Sequence, residues 1–169
     1  MPIQSPAGPL STLEEYVYLA RGLRDRLDTH FVDPVLLVVA PAEGWAETTS
    51  IRHRAESGMI SVKMLPTLVI PVKGQSPVTF GRGPQNAVIL PFAAMSKAHG
   101  ELKLEGGAWS LKDIGSKNGS FVDGGRVPQG AFVGLRDGAS IRFGDVTAKF
   151  MLAPTFRADL KRRLLEVGA

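Results

Sequence analysis

The chain has 169 residues, of which 44% are hydrophobic and 21% charged, with no cysteine; it can bury a core, and it excludes a disulfide framework, a thiolate metal site and a cysteine nucleophile. The net charge of +4 is uneven, because residues 1–59 carry five Arg against eight acids while residues 60–150 carry eleven Lys and Arg against six, a bias toward anionic partners in the middle of the chain. His30, His53 and His99 show no metal-ligand spacing, no apolar run reaches about 18 residues, and the start MPIQSPAGPL is not a signal peptide, so the expectation is a cytoplasmic protein with no cofactor, no metal and no membrane span.

Residues 1–10 hold three prolines and form a lead. A helix is expected over about 12–30, opened by Ser11 as N-cap with Glu14 three residues on, the two halves of a capping box. Leu13, Val17, Ala20, Leu23 and Leu27 recur at helical steps on one face. Val35–Val39 is a short β-branched apolar run, expected as a strand over about 35–40. Pro41–Gly58 reads as a loop.

From about residue 59 short alternating stretches are punctuated by Gly106-Gly107, Asn118-Gly119, Asp123-Gly124-Gly125 and Asp137-Gly138. Frequent short strands with no helix between them predict an antiparallel β-sandwich. A second helix closes the chain, with Thr155 as its cap after Pro154, a face of Phe156, Leu160, Leu164 and Val167, and Gly168 at its end. The expected division is an N-terminal extension over 1–58, a β domain over 59–153 and a helix over 154–169.

Four segments stand out in the β region: Phe80-Gly81-Arg82 followed by Asn86 to Leu90; Ser96-Lys97-Ala98-His99; Asp113 to Val122 with Gly125-Arg126; and Leu135 to Gly144. In this order and spacing they resemble the forkhead-associated (FHA) domain family across residues 66–150. The resemblance implies an all-β fold, an FHA-type antiparallel sandwich of about eleven strands, here with an N-terminal helical extension and a C-terminal helix. It implies phosphothreonine-peptide binding rather than catalysis. Val88, Ser120 and Ala139 depart from the family pattern, which has Ile, often Thr, and an acid at those places.

A phosphothreonine brings about −1.5 to −2 charges and several acceptor oxygens, so its site needs fixed donors converging on one point. Arg82 offers a permanently charged fork. Ser96 offers a hydroxyl, and Lys97 and Lys117 offer point charges. By resemblance Asn118 holds the ligand backbone, and Gly81, His99, Gly119 and Ser120 support the site. The expected partner is a phosphothreonine-containing protein or peptide, a Ser/Thr kinase or its substrate.

Glu47-Thr48-Thr49-Ser50 is similar to a kinase-target segment that some bacterial FHA regulators carry upstream of the domain, where it folds back onto the domain's own site; this implies Thr48 and Thr49 as phosphorylation positions. A second reading keeps the FHA fold as an assembly module that binds a partner independently of phosphate, through a helix or sheet face. A nucleic-acid module is disfavoured because no basic run is interleaved with aromatics. An enzyme is disfavoured because no nucleophile–base pair, carboxylate pair or P-loop appears.

Overall fold

The computed structural model describes residues 11–39 and 67–168. Thr48 and Thr49, and the loop expected over Pro41–Gly58, lie outside them. A two-residue strand β1 (Ser11–Thr12) leads into helix α1 (Leu13–Leu23), a 3-10 turn (Arg24–Arg26) and helix α2 (Leu27–His30). Eleven strands follow: β2 (Val35–Val39), β3 (Thr67–Pro71), β4 (Val78–Gly81), β5 (Val88–Ile89), β6 (Gly100–Glu105), β7 (Ala108–Asp113), β8 (Ser120–Val122), β9 (Gly125–Arg126), β10 (Phe132–Leu135), β11 (Ser140–Phe143) and β12 (Val146–Met151). Helix α3 (Ala153–Val167) closes the chain.

The strands form two sheets, ordered β1-β3-β2-β12-β11-β8-β9 and β10-β7-β6-β4-β5, the FHA-type sandwich that the sequence predicts. Side chains of the two inner faces interlock between them, with Phe80, Phe92, Phe143 and Phe150 each 0–1% exposed. A third layer lies outside the seven-stranded sheet. There α1 and α3 pack on Val35, Leu37, Val69 and Met151, and Tyr16, Phe31 and Phe156 stack in mutual contact. Strand β2 is therefore buried on both faces, Leu36 and Val38 toward the sandwich and Val35 and Leu37 toward the helices. That is why it reads as an unbroken apolar run and not as an alternation.

β2 is also an interior strand, antiparallel to β3 on one side and to β12 on the other. The expected boundary at 58/59 thus falls between two strands that pair with each other, and residues 35–39 belong to the sandwich sheet.

Two helix starts differ from expectation. The capping box of α1 uses Thr12 and Glu15, not Ser11 and Glu14: Thr12 Oγ1 accepts from Glu15 N at 3.3 Å, and Glu15 Oε2 accepts from Thr12 N at 2.8 Å. Ser11 is instead paired with Val69 at the edge of the large sheet. Helix α3 begins at Ala153 with Leu152 as a cap that has no side-chain bond; Thr155 Oγ1 donates to Asp137 Oδ2 on the β10–β11 connection. The expected single helix over 12–30 breaks at Arg24, whose φ is +44°. Among the described residues no helix is long and apolar enough to cross a membrane, and no group of three or more acids and histidines could hold a metal ion.

Candidate functional site

Four connections meet at one rim of the sandwich: β4–β5, β5–β6, β7–β8 and β11–β12. Gly81 ends β4 beneath the β5–β6 loop. A Cβ there would lie 2.5 Å from the Lys97 carbonyl oxygen and 2.9 Å from that of Ser96, so only glycine lets the two chains approach this closely. The next two amides complete the junction: Arg82 N donates to Ser96 O at 2.9 Å and Gly83 N to Lys97 O at 3.0 Å. Asn86 is buried and spans the same loops, Nδ2 donating to Gly83 O at 2.8 Å and to Lys97 O at 2.6 Å. The base of Arg82 is thus fixed while its side chain stays exposed.

The β5–β6 loop is joined to β7–β8 through Ser96, whose Oγ accepts from Lys117 N at 3.0 Å. With one lone pair of that oxygen taken by an amide, the hydroxyl proton is available for an anion at the rim. Asn118 Nδ2 donates to Ala94 O at 2.9 Å. Its Oδ1 has no protein partner among the described residues and is free to accept from a ligand amide. Gly144, from β11–β12, closes the fourth side: a Cβ at Gly144 would lie 3.0 Å from Ala94 Cβ and 3.3 Å from Asn118 Cβ.

Below the rim a buried relay holds these loops. Ser96 N donates to His99 Nδ1 at 3.1 Å. That nitrogen must therefore be the unprotonated one, and His99 Nε2–H points at Ser120 Oγ, 3.1 Å away. Ser120 Oγ in turn donates to Asp113 Oδ2 at 2.6 Å. Asp113 also accepts from Gly115 N and Ser116 N on Oδ1, at 2.9 and 2.8 Å, and from Ser116 Oγ on Oδ2. Ser116 Oγ accepts from Gly119 N at 3.0 Å, which curls the β7–β8 loop so that Lys117 and Asn118 project at its tip. Gly119 has φ +77°, a left-handed turn that suits glycine.

Electrostatics divides the site into a base holding a neutral imidazole and one buried carboxylate, and a cationic top. His99 has no exposed surface and lies against the Phe80 and Phe143 rings, at 5.6 and 5.1 Å between centroids. Burial holds its pKa below the ordinary imidazole value, against the pull of Asp113, so it stays neutral as the tautomer requires. Burial would raise the Asp113 pKa, but the hydroxyls of Ser116 and Ser120 and two backbone amides outweigh it and hold the carboxyl below its ordinary range. At the top, the side chains of Arg82, Lys97 and Lys117 are exposed and, among the described residues, make no ion pair.

All five expected binding residues, Arg82, Ser96, Lys97, Lys117 and Asn118, are carried on loops that touch one another, and Gly81, His99, Gly119 and Ser120 lie directly beneath. The bracing roles of Asn86, Asp113 and Ser116 were not expected. Asp113 ends β7, and Asn86 and Ser116 lie within connections; only the loop carbonyls, amides and hydroxyls they meet reveal the role.

Residues 78–144 match the family model described as FHA domain. The glycogen accumulation regulator GarA of Mycolicibacterium smegmatis is 32% identical to this chain over 80 residues, which are 47% of this chain and 49% of that protein. The oxoglutarate dehydrogenase inhibitor of Corynebacterium glutamicum is 31% identical over 80 residues, 47% of this chain and 54% of that one. The chain spans about half the length of these curated relatives. Among solved structures, the FHA domain of an Arabidopsis thaliana hypothetical protein aligns with TM-score 0.50 and 21% identity, over 71% of this chain and 85% of that one.

Proposed function

Residues 78–144 are an FHA domain, and on that premise we propose that this chain is a phosphothreonine-peptide-binding adaptor in Ser/Thr-kinase signalling. The observation that carries the reading is the rim itself: three exposed cations, without acid partners among the described residues, are carried on the loops around a hydroxyl whose oxygen is already engaged by Lys117 N. Arg82 supplies a bidentate fork for the phosphate, Ser96 Oγ–H a short donor, and Lys97 and Lys117 the remaining charge. Asn118 accepts from the ligand backbone, which selects an extended chain. The relay beneath carries one negative charge, that of Asp113, which is buried and saturated with donors. The partner is a phosphorylated protein, a kinase or its substrate, and the chain acts by binding it, without a chemical step of its own.

A degenerate phosphothreonine peptide library, its unphosphorylated counterpart and the variant Arg82→Ala test this reading. The phosphorylated library is expected to bind selectively, with Arg82→Ala losing at least about tenfold in affinity, the scale of one charge-assisted hydrogen bond. Equal binding by wild type and variant would overturn the assignment of Arg82. The alternative, a phosphate-independent assembly module, has less surface to use than the sequence suggests, because the apolar stripe of α1 is buried against the sheet and α3. It would be favoured if a partner co-purified and bound both libraries equally.

A further inference from the structure

Beside the rim, strands β9, β8 and β11 carry a row of three side chains in register: Arg126 opposite Phe121, and Phe121 opposite Arg142. Ser120 and Val122 point into the core, so Phe121 and its two neighbours lie on the outer face of the seven-stranded sheet. The Arg126 guanidinium lies beside Gly119, and that of Arg142 reaches Gly144. The Arg142 guanidinium stacks on the Phe121 ring, 3.8 Å from its centroid, while Nη1 donates to Gly144 O at 2.8 Å. Gly144 is the residue packed against Asn118. Arg126 approaches from the other side. Its Nη2 and Nε lie 3.5 and 3.6 Å from the position a Cβ of Gly119 would take, next to Phe121 Cε2 at 3.6 Å. Neither arginine makes an ion pair among the described residues. Asp145 and Asp123, the nearest acids in sequence, do not neutralise them, and Asp123 is engaged by Arg136 and Ser140 N.

The Arg142 guanidinium, held by a ring and a carbonyl, is a preorganised donor with little rotamer freedom left to lose on binding, and the exposed Arg126 guanidinium lies beside Gly119 on the other side of the same ring. A peptide gripped by Asn118 and leaving the notch across Gly119 would pass them. We infer that Arg126 and Arg142 form a carboxylate-reading subsite, so that the ligands this chain prefers carry an Asp or Glu near the phosphothreonine on the side that crosses Gly119. The inference rests on the phosphopeptide reading above and specifies its ligand: the phosphate is met by the three cations of the notch, and this second, separate pair selects an acidic neighbour.

The test is a walk of Asp, Ala and Lys through the four positions on either side of phosphothreonine in an otherwise fixed peptide, titrated against the full chain. Wild type is expected to favour Asp over Ala on the order of tenfold at one position and to disfavour Lys there. In Arg126→Ala combined with Arg142→Ala the Asp-over-Ala ratio should fall to about one, and in Arg126→Glu the preference should turn toward Lys. Arg126 lies exposed on a two-residue edge strand, so the single charge reversal keeps the test open should the double variant fold poorly. An acidic preference that survives Arg126→Glu, or the absence of any acidic preference in wild type, would overturn the subsite while leaving phosphothreonine binding intact. Failure of wild type to distinguish phosphorylated from unphosphorylated peptide would overturn the underlying reading instead.

Discussion

Ser120 links the core to the rim through one hydroxyl, 3.1 Å from His99 Nε2 and 2.6 Å from Asp113 Oδ2 in a position with no exposed surface. Removing it leaves a buried imidazole N–H without an acceptor and takes one donor from the carboxylate. Ser120→Ala is expected to cost about 1–3 kcal/mol, read as a lower denaturant midpoint at unchanged slope. The same relay sets a pH dependence. His99 has a folded-state pKa below its ordinary value of 6.5, so the unfolded chain takes up the proton first, and stability falls as pH drops below that value. Asp113 has a lowered carboxyl pKa, so its contribution is present near neutrality and is lost on further acidification through the ordinary value of 3.8. Urea midpoints should therefore decline from about pH 7.5 to about pH 5, and His99→Gln should flatten that decline. Residues at this scale were legible in the sequence where a turn fixes them. Arg82 follows a strand-ending glycine, and Lys117 and Asn118 precede Gly119. The bracing roles of Asn86 and Asp113 were not: their bonds to Gly83 O and to the Gly115 and Ser116 amides are local, but the partners that tie them into the site, Lys97 O and Ser120 Oγ, arrive from eleven and seven residues away, and no local spacing encodes them.

At the scale of elements, the stretch Ser11-Thr12-Leu13-Glu14-Glu15 contains two overlapping capping boxes, and local propensity cannot choose between them. The choice is made by tertiary structure: β3 takes Ser11 and Thr12 into its edge, and the helix starts at Leu13. Thr12→Ala should cost about 1 kcal/mol, whereas Ser11→Ala should stay within about 0.5 kcal/mol, both measured by thermal or urea unfolding. The reverse order would show that the box closes on Ser11 instead. Helix faces were legible for the same reason that caps were not. The period of 3.6 averages over many residues, and four of the five expected stripe residues of the N-terminal helices, Leu13, Ala20, Leu23 and Leu27, are buried. In α3, Phe156 and Leu160 are buried but Val167 is 61% exposed, because the helix outruns the sheet it packs on.

The whole molecule is three layers deep, and its two cores share β2. The sequence pattern locates the sandwich but not this dependence, since a strand separated from its neighbour by residues 40–66 gives no local sign that it pairs across them. Four side chains of β2, Val35, Leu36, Leu37 and Val38, are 9% exposed or less. Burying such a side chain stabilises by about 1.5–3 kcal/mol, so the strand contributes about 6–12 kcal/mol. That is of the same order as the net stability of a typical domain, about 5–15 kcal/mol. A fragment covering 59–153 also leaves Leu68 and Ile70 on β3 and Ala148 and Phe150 on β12 without the inner-face neighbours Leu36 and Val38, and removes α1 and α3 from Val69 and Met151. Such a fragment is expected to lack a cooperative thermal transition and to lose phosphopeptide binding, although it contains every rim residue. The chain from residue 11 to 168 should melt in a single transition and bind as the full chain does, followed by circular dichroism and peptide titration side by side. A cooperative melt of 59–153 with unchanged affinity would show that the seven-stranded sheet closes without β2, and that the helical layer has no part in holding the rim.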